Sequence, residues 1–437
     1  MGKCIRVLYE TIRLTTMTFD RFLLLCLLLL ILPNIAADWV MFHGPGGQNR
    51  CTETGLIQTI TADGPKLLWE LTGIGKGQSG FSSVTIADGL LFTAGSVDKQ
   101  SFVYCYELQE NKPPAKRWEY NNGGVWSTSY PGTRSTPTVD GNRVYDLSSL
   151  GELVCLDVKT GNKIWGRNIF TDFEGENITW AIAESVLIDG KKLICSPGGK
   201  KGSVVALDKM SGELIWTVPT TGNSTSYACA TVFEQSGLRI LAMMYARGLL
   251  LIDIETGQLL CSYLHTQRYG INCTRPIYHN GQLFITNPKT PPDNTGAALL
   301  NVFVDNKTVS VERVWQTPEF DNLQDGVILI DGVLYGASHD YKSGCFMGVD
   351  WKSGKILYED RTTSRGAFTW ADGLLYFLNE KGEFFRIKPN PAKLDIVDRW
   401  TLPDKGNGPY WAHPVIHTKK LYLRHGEFLY CYDIAGK

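Results

Sequence analysis

Eight times along this chain, at intervals averaging about 47 residues, a strand ends on a tryptophan or its stand-in, and a period of that length leaves few folds open. The markers are Trp69, Trp118, Trp165, Trp216, Cys261, Trp315, Tyr358 and Trp400. Four of them close one phrase: DVKTGNKIW from Asp157, DKMSGELIW from Asp208, DIETGQLLC from Asp253 and DWKSGKILY from Asp350. Each is a hairpin in which the Asp accepts from the turn's own backbone and the Gly supplies the positive φ that leaves the turn.

A second turn precedes each phrase, flanked by apolar residues of period two: Asp88-Gly89, Asp140-Gly141, Asp189-Gly190, Asn280-Gly281, Asp331-Gly332 and Asp372-Gly373. Two hairpins per repeat make about four strands. Such a unit cannot bury its faces alone, so the repeats stack radially into an all-β, eight-bladed β-propeller. The final repeat begins its phrase at Asp433 but stops before its last strand, whereas KLLWEL, carrying Trp69, precedes the first inner strand. The N-terminal strand is therefore expected to close the ring and remove two exposed sheet edges.

No linker interrupts the repeats, so residues 38–437 are expected to form a single domain. A net charge of −1 with 20 % charged residues argues against nucleic acid as a partner. The run FLLLCLLLLIL, Phe22 to Leu32, lies between Arg21 and Pro33 and reads as a secretory signal peptide over residues 1–37, cleaved near Ala37. A retained anchor is the alternative, although the run is shorter than the roughly 20 apolar residues that span a bilayer. Export to the periplasm, cell envelope or medium follows, with no membrane span in the mature chain, expected here to be a monomer. No Cys stands where a bacterial lipid anchor would need one. Nine cysteines follow the signal without a CxxC pair, and Cys105, Cys155 and Cys431 occupy the same repeat position, as expected of small core residues rather than of a disulfide framework. A bridge between Cys261 and Cys273 is the exception that spacing leaves open.

The segment ALDKMSGELIW, Ala206 to Trp216, resembles the repeat of pyrroloquinoline quinone (PQQ) type propellers, the fold of quinoprotein alcohol dehydrogenases. Three longer stretches, DWVMFHGPGGQNRCTETGL, YPGTRSTPTVDGNRVYDLSSLGELVCLD and YWAHPVIHTKKLYLRHGEFLYCYD, resemble secreted PQQ-like propeller proteins of environmental bacteria, planctomycetes in particular. The resemblance implies that Trp69, Trp118, Trp165, Trp216, Trp315 and Trp400 dock each blade on the next. It also raises PQQ with calcium as a cofactor, but the adjacent Cys-Cys pair typical of those dehydrogenases is missing here, as is an appended c-type heme segment.

Ligands meet a propeller where the inner strands and their preceding loops converge. Counting back from each inner turn gives Ser82 and Ser83, Arg134, Glu184, Arg275, Asp325 and His413, with Trp411 among nearby aromatics. Arginines suit carboxylates or phosphates, and aromatic faces suit sugars or flat rings. One solvated polar mouth binding an unknown small molecule, glycan or envelope protein is therefore expected. His413, His417 and His425 share a hairpin without an evident further ligand, so no metal site is expected. No GxSxG, HExxH or phosphate loop occurs. Two functions remain: a non-catalytic binding scaffold, or a PQQ-dependent oxidoreductase acting on an alcohol or sugar at the channel mouth.

Overall fold

The computed structural model describes residues 37–76, 80–219, 222, 224–290, 295–339 and 344–436. The apolar run assigned to the signal peptide lies outside them. Residues Asp38–Lys437 make one compact unit, an eight-bladed β-propeller. Among the described residues eight four-stranded antiparallel sheets follow one another. They are blade 1, residues 85–124; blade 2, 138–168; blade 3, 187–217; blade 4, 231–264; blade 5, 277–317; blade 6, 327–360; blade 7, 366–401; and blade 8, 415–433 completed by Leu67–Leu71. The N-terminal strand pairs antiparallel with Phe428–Asp433, with Trp69 opposite Cys431, which closes the ring.

The two kinds of turn do different work. Asp88-Gly89, Asn280-Gly281, Asp331-Gly332 and Asp372-Gly373 hold both residues at positive φ, as a two-residue type I′ hairpin requires. In blades 2 and 3 the Asp still belongs to the strand, pairing with Arg143 or Lys192, so Gly141 and Gly190 take the first central position instead. In the repeated phrase Asp157 Oδ1 accepts from the backbone N–H of Lys159 and Thr160, and Asp208 and Asp253 repeat the pattern. Each phrase also carries a bulge beside its marker, as between Cys155/Leu156, Ala206/Leu207, Leu251/Ile252 and Gly348/Val349.

That bulge re-aims the outer strand. Trp118, Trp165, Trp216 and Trp315 each donate Nε1–H to the carbonyl one residue past the next blade's turn-opening position, at Val158, Lys209, Ile254 and Trp351, over 2.8–3.1 Å. The same rings cover Gly161, Gly212, Gly257 and Gly354, where a Cβ would come within 2.5–2.8 Å of ring carbon. Glycine is needed there twice over, for the positive φ and for the ring. Trp400 lies over Gly64, ahead of the closing strand, with its Nε1 unpartnered. Trp69, Trp216 and Trp400 are buried, whereas Trp118, Trp165 and Trp315 are half-buried. Trp216→Ala should therefore cost about 3–5 kcal/mol, as for a buried aromatic. Trp165→Ala should cost about 1–3 kcal/mol, because part of its ring already faces water. Urea unfolding of the two variants checks the order.

The nine described cysteines are free thiols, Cys261 and Cys273 included. Cys105, Cys155 and Cys431 are fully buried opposite Trp118, Trp165 and Trp69, where a small side chain makes room for the indole.

Candidate functional site

An arm of residues 38–60, which shows no strand periodicity in sequence, crosses the central channel. Its contacts read one blade after another. Trp39 exchanges backbone hydrogen bonds with Ile86 of blade 1, and Val40 accepts from Val139 of blade 2. The chain then turns through Pro45–Gly47. Arg50 donates to the Leu329 carbonyl of blade 6, Asn49 and Cys51 bracket Trp370 of blade 7, and Cys51 Sγ donates to Ile416 O of blade 8. Further on, Ile57 N donates to Ile434 O, and Arg386, paired to Asp398, donates to Ile57 O.

Under the arm lies a polar cluster. Arg275 donates through Nη1 to Gly47 O, while its backbone N–H donates to Asp325 Oδ1 at 2.7 Å. Asp325 Oδ2 is 3.5 Å from His43 Nδ1, and the His43 and His413 rings lie 4.7 Å apart. His413 Nε2 is 2.9 Å from Gln324 O. Only glycine fits at position 47, since a Cβ there would run into the Arg275 guanidinium. Burial lowers the His413 imidazole to about 4 and drives His43 well below its ordinary value, with the neighbouring His413 and Arg275 charges adding to the effect on His43. Burial raises the Asp325 carboxyl to about 7, with Arg275 opposing.

The structure divides the expected mouth into three places. Arg275, Asp325 and His413 meet, but at 8 %, 7 % and 6 % exposure they are not solvated, and a fourth partner, His43, is supplied by the arm. Arg134 instead folds back on its own loop, donating to Gly132 O and Tyr130 O, with its guanidinium over Phe81. Trp411 joins it there, 4.8 Å from the Phe81 ring and 4.9 Å from Tyr130. Glu184 is alone, 1 % exposed, accepting from the backbone N–H and the hydroxyl of Ser196. Ser83 bonds both ways with the His413 backbone, bracing blade 8 against blade 1. The histidine trio does not converge: His425 stacks on Tyr410 at 3.5 Å and meets Gly408 O, away from His413.

Glu184 yields a pH test. Burial raises its carboxyl to about 7 from an ordinary 4.5, so between those values the folded chain keeps a proton that the unfolded chain has lost. Stability from this group is thus fully present below pH 4.5 and lost as pH rises through 7. Glu184→Gln should gain on wild type by on the order of 2–3 kcal/mol between pH 5 and pH 8, read from urea midpoints.

A planar, polycarboxylate quinone with its cation requires free cationic donors over an open floor and carboxylates converging on the ion. Here Arg275 Nη1 is bound to the arm, Asp325 Oδ1 accepts from Arg275 N, and among the described residues no three His, Cys, Asp or Glu side chains converge as a metal-ligand set. The residues present do not fit that group. What the arm leaves open is a cavity of about 620 Å³, walled by blades 3 to 6 and floored by His43, Asn49 and Arg275.

A family model described as outer membrane protein assembly factor BamB matches residues 53–360. The BamB of Yersinia pestis is 22 % identical over 346 residues, 74 % of this chain and 80 % of that protein. The BamB structure from Moraxella catarrhalis superposes with a TM-score of 0.54 at 14 % identity, covering 85 % of this chain and 98 % of that one. A europium-containing methanol dehydrogenase superposes with a TM-score of 0.60 at 13 % identity, over 89 % and 90 %.

Proposed function

The chain belongs to the family described as outer membrane protein assembly factor BamB, and from that membership we propose that it is an exported, non-catalytic propeller that binds a protein partner in the cell envelope. The observation that carries this reading is the arm. A propeller enzyme working at its channel mouth needs its central charges free for substrate, and here Arg275, Asp325 and His413 are engaged by His43 and Gly47. Binding then falls to surfaces. The loops before the inner strands present Tyr130 and Tyr269, both 48 % exposed, with half-buried Trp126, Trp180 and Trp411. Aromatic residues with a polar tip are enriched in protein interfaces. No helix among the described residues is long and apolar enough to cross a membrane.

Two assays test the proposal together. Purified protein given PQQ with calcium or a lanthanide ion should reduce no dye with methanol, ethanol or glucose. The tagged chain, exported in a bacterial host and cross-linked in intact cells, should capture a discrete protein at near-equal amount that is lost when Tyr130 and Trp411 are replaced by Ala. Quinone-dependent dye reduction, or capture no better than a tag alone, overturns it.

A further inference from the structure

The arm engages the inner strands at one register position. That position is the penultimate residue of each inner strand: Ile86, Val139, Ile188, Glu234, Tyr278, Leu329, Trp370 and Ile416 in blades 1 to 8. Each sits opposite the same neighbour position, as Ile86 does Leu91, Ile188 does Leu193 and Tyr278 does Leu283. Equivalent register means equivalent direction, so at each of these residues the backbone N–H and C=O point away from the blade and into the channel. The arm bonds through its backbone to Ile86, Val139 and Trp370, and through the Arg50 and Cys51 side chains to the carbonyls of Leu329 and Ile416. Among the described residues Ile188, Glu234 and Tyr278 have no channel-side backbone partner.

Burial follows the same division. The inner strands of blades 1 and 8 are buried throughout, whereas Leu187–Asp189 of blade 3 is half-buried throughout, and Ile277–His279 of blade 5 is half-buried to exposed. The open positions of blades 3 and 5, Ile188 and Tyr278, line the cavity of about 620 Å³, with Leu187 and Ile277 beside them and Val232 and Phe233 of blade 4 between. At its floor, four side chains more than nine-tenths buried carry polar atoms without hydrogen-bond partners: His43 Nε2, Asn49 Oδ1, Arg275 Nε and Asp325 Oδ2. Buried polar atoms and sheet edges normally find partners.

We propose that this open side of the channel is a strand-addition site, in which an extended segment of a partner polypeptide bonds through its backbone to the inner edges of blades 3 to 5. The arm shows the mode within the same channel, bonding through its own backbone to the inner edges of blades 1, 2 and 7. Polypeptide is the occupant because the open edges offer backbone N–H and C=O groups, the groups that an added strand pairs with, and because the arm already uses its backbone on blades 1, 2 and 7. Apolar side chains of the segment would lie on Leu187, Val232, Phe233 and Ile277, and a polar one would reach Asn49 Oδ1 and Arg275 Nε. The proposal rests on the protein-binding reading above and adds the place and chemistry of one contact.

A fluorescein-labelled dodecapeptide of alternating threonine and valine is the probe, with a copy N-methylated at every second residue. Ile188→Pro and Tyr278→Pro each delete one channel-facing N–H and leave the blade's own ladder intact, as proline can on a free edge. Saturable anisotropy binding is expected, about tenfold weaker for each proline variant and for the methylated peptide. Hydrogen exchange should slow at residues 187–189 and 277–279 when the parent peptide is added. Absence of binding, equal binding of the methylated peptide, or protection elsewhere overturns the site, and the peptide comparison decides the matter even if a proline variant fails to fold. Partner capture in cells that survives both proline substitutions would overturn the channel site while leaving the scaffold reading in place. Loss of capture by the wild type would sink the scaffold reading itself.

Discussion

Removing residues 38–71 should leave a chain that no longer gives one cooperative melt as a monomer. The deletion takes away Leu67–Leu71, which pairs with Phe428–Asp433, and so exposes the edge of blade 8. It removes Trp69 from a cluster with Tyr104, Tyr106 and Tyr430, and a buried aromatic of that kind is worth about 3–5 kcal/mol by itself. It also strips the arm from Arg275 and Asp325, and strips Ile57 O from the fully buried Arg386. Together these are of the order of the roughly 5–15 kcal/mol by which a domain is usually stable. Size-exclusion chromatography and calorimetry check the outcome; a monomer melting within a few degrees of the parent would refute the closure energetics.

Arg424→Met should destabilise the ring by about 3–5 kcal/mol, since it leaves several buried acceptors unsatisfied at about 1–3 kcal/mol each. Arg424 is 2 % exposed and meets no carboxylate. Its guanidinium donates instead to Ser82 O, Ala94 O, Thr93 Oγ1, Gly426 O and Ile74 O, tying blade 8 to blade 1 beside the closure. Burial lowers it to about 10, still charged at neutral pH. Methionine fills the volume and leaves those acceptors dry. Arg424→Lys should recover only part of the loss, since a point ammonium cannot reproduce a five-donor fork. Urea unfolding distinguishes these outcomes, and a change under about 0.5 kcal/mol for Arg424→Met, the size of a neutral surface substitution, would show that the seam does not depend on it.

Both residues expose a limit of the repeat pattern. Arg386 and Arg424 stand in strands otherwise made of core residues, FFRIK and LYLRH, where alternation alone reads them as solvent-facing. Nothing in their own blades reveals that a neighbouring blade or the arm brings carbonyls to them. His43, Gly47 and Asn49 were equally silent, because a segment that bonds to five blades in turn carries no period of its own. The only local signal was the density of glycine and turn residues in HGPGGQN, which marks an irregular path without saying where it leads.

The same limit explains the fate of the expected mouth. Counting back from the inner turns placed Arg275, Asp325 and His413 at one level, and they do meet. Arg134 and Glu184, found by the same count, turn aside to loop carbonyls and to Ser196, because the count gives a residue's level along the channel and not the partners that fold against its side chain there.

What the sequence determined by itself was everything carried by contacts near in the chain. Hairpin turns, the Asp-x-x-x-Gly phrase, four strands per repeat and the missing last strand all depend on residues within about 50 positions, and a unit that pairs with its sequence neighbours writes its period directly into the chain. Tertiary structure alone decided whether the channel is open. That depends on where a non-repeating arm lies against residues more than 360 positions away, as between Cys51 and Ile416, and on which polar groups burial leaves without water. Coulomb and hydrogen-bond energies at such a site are set by distance and desolvation in space, and neither quantity has a signature in the order of residues.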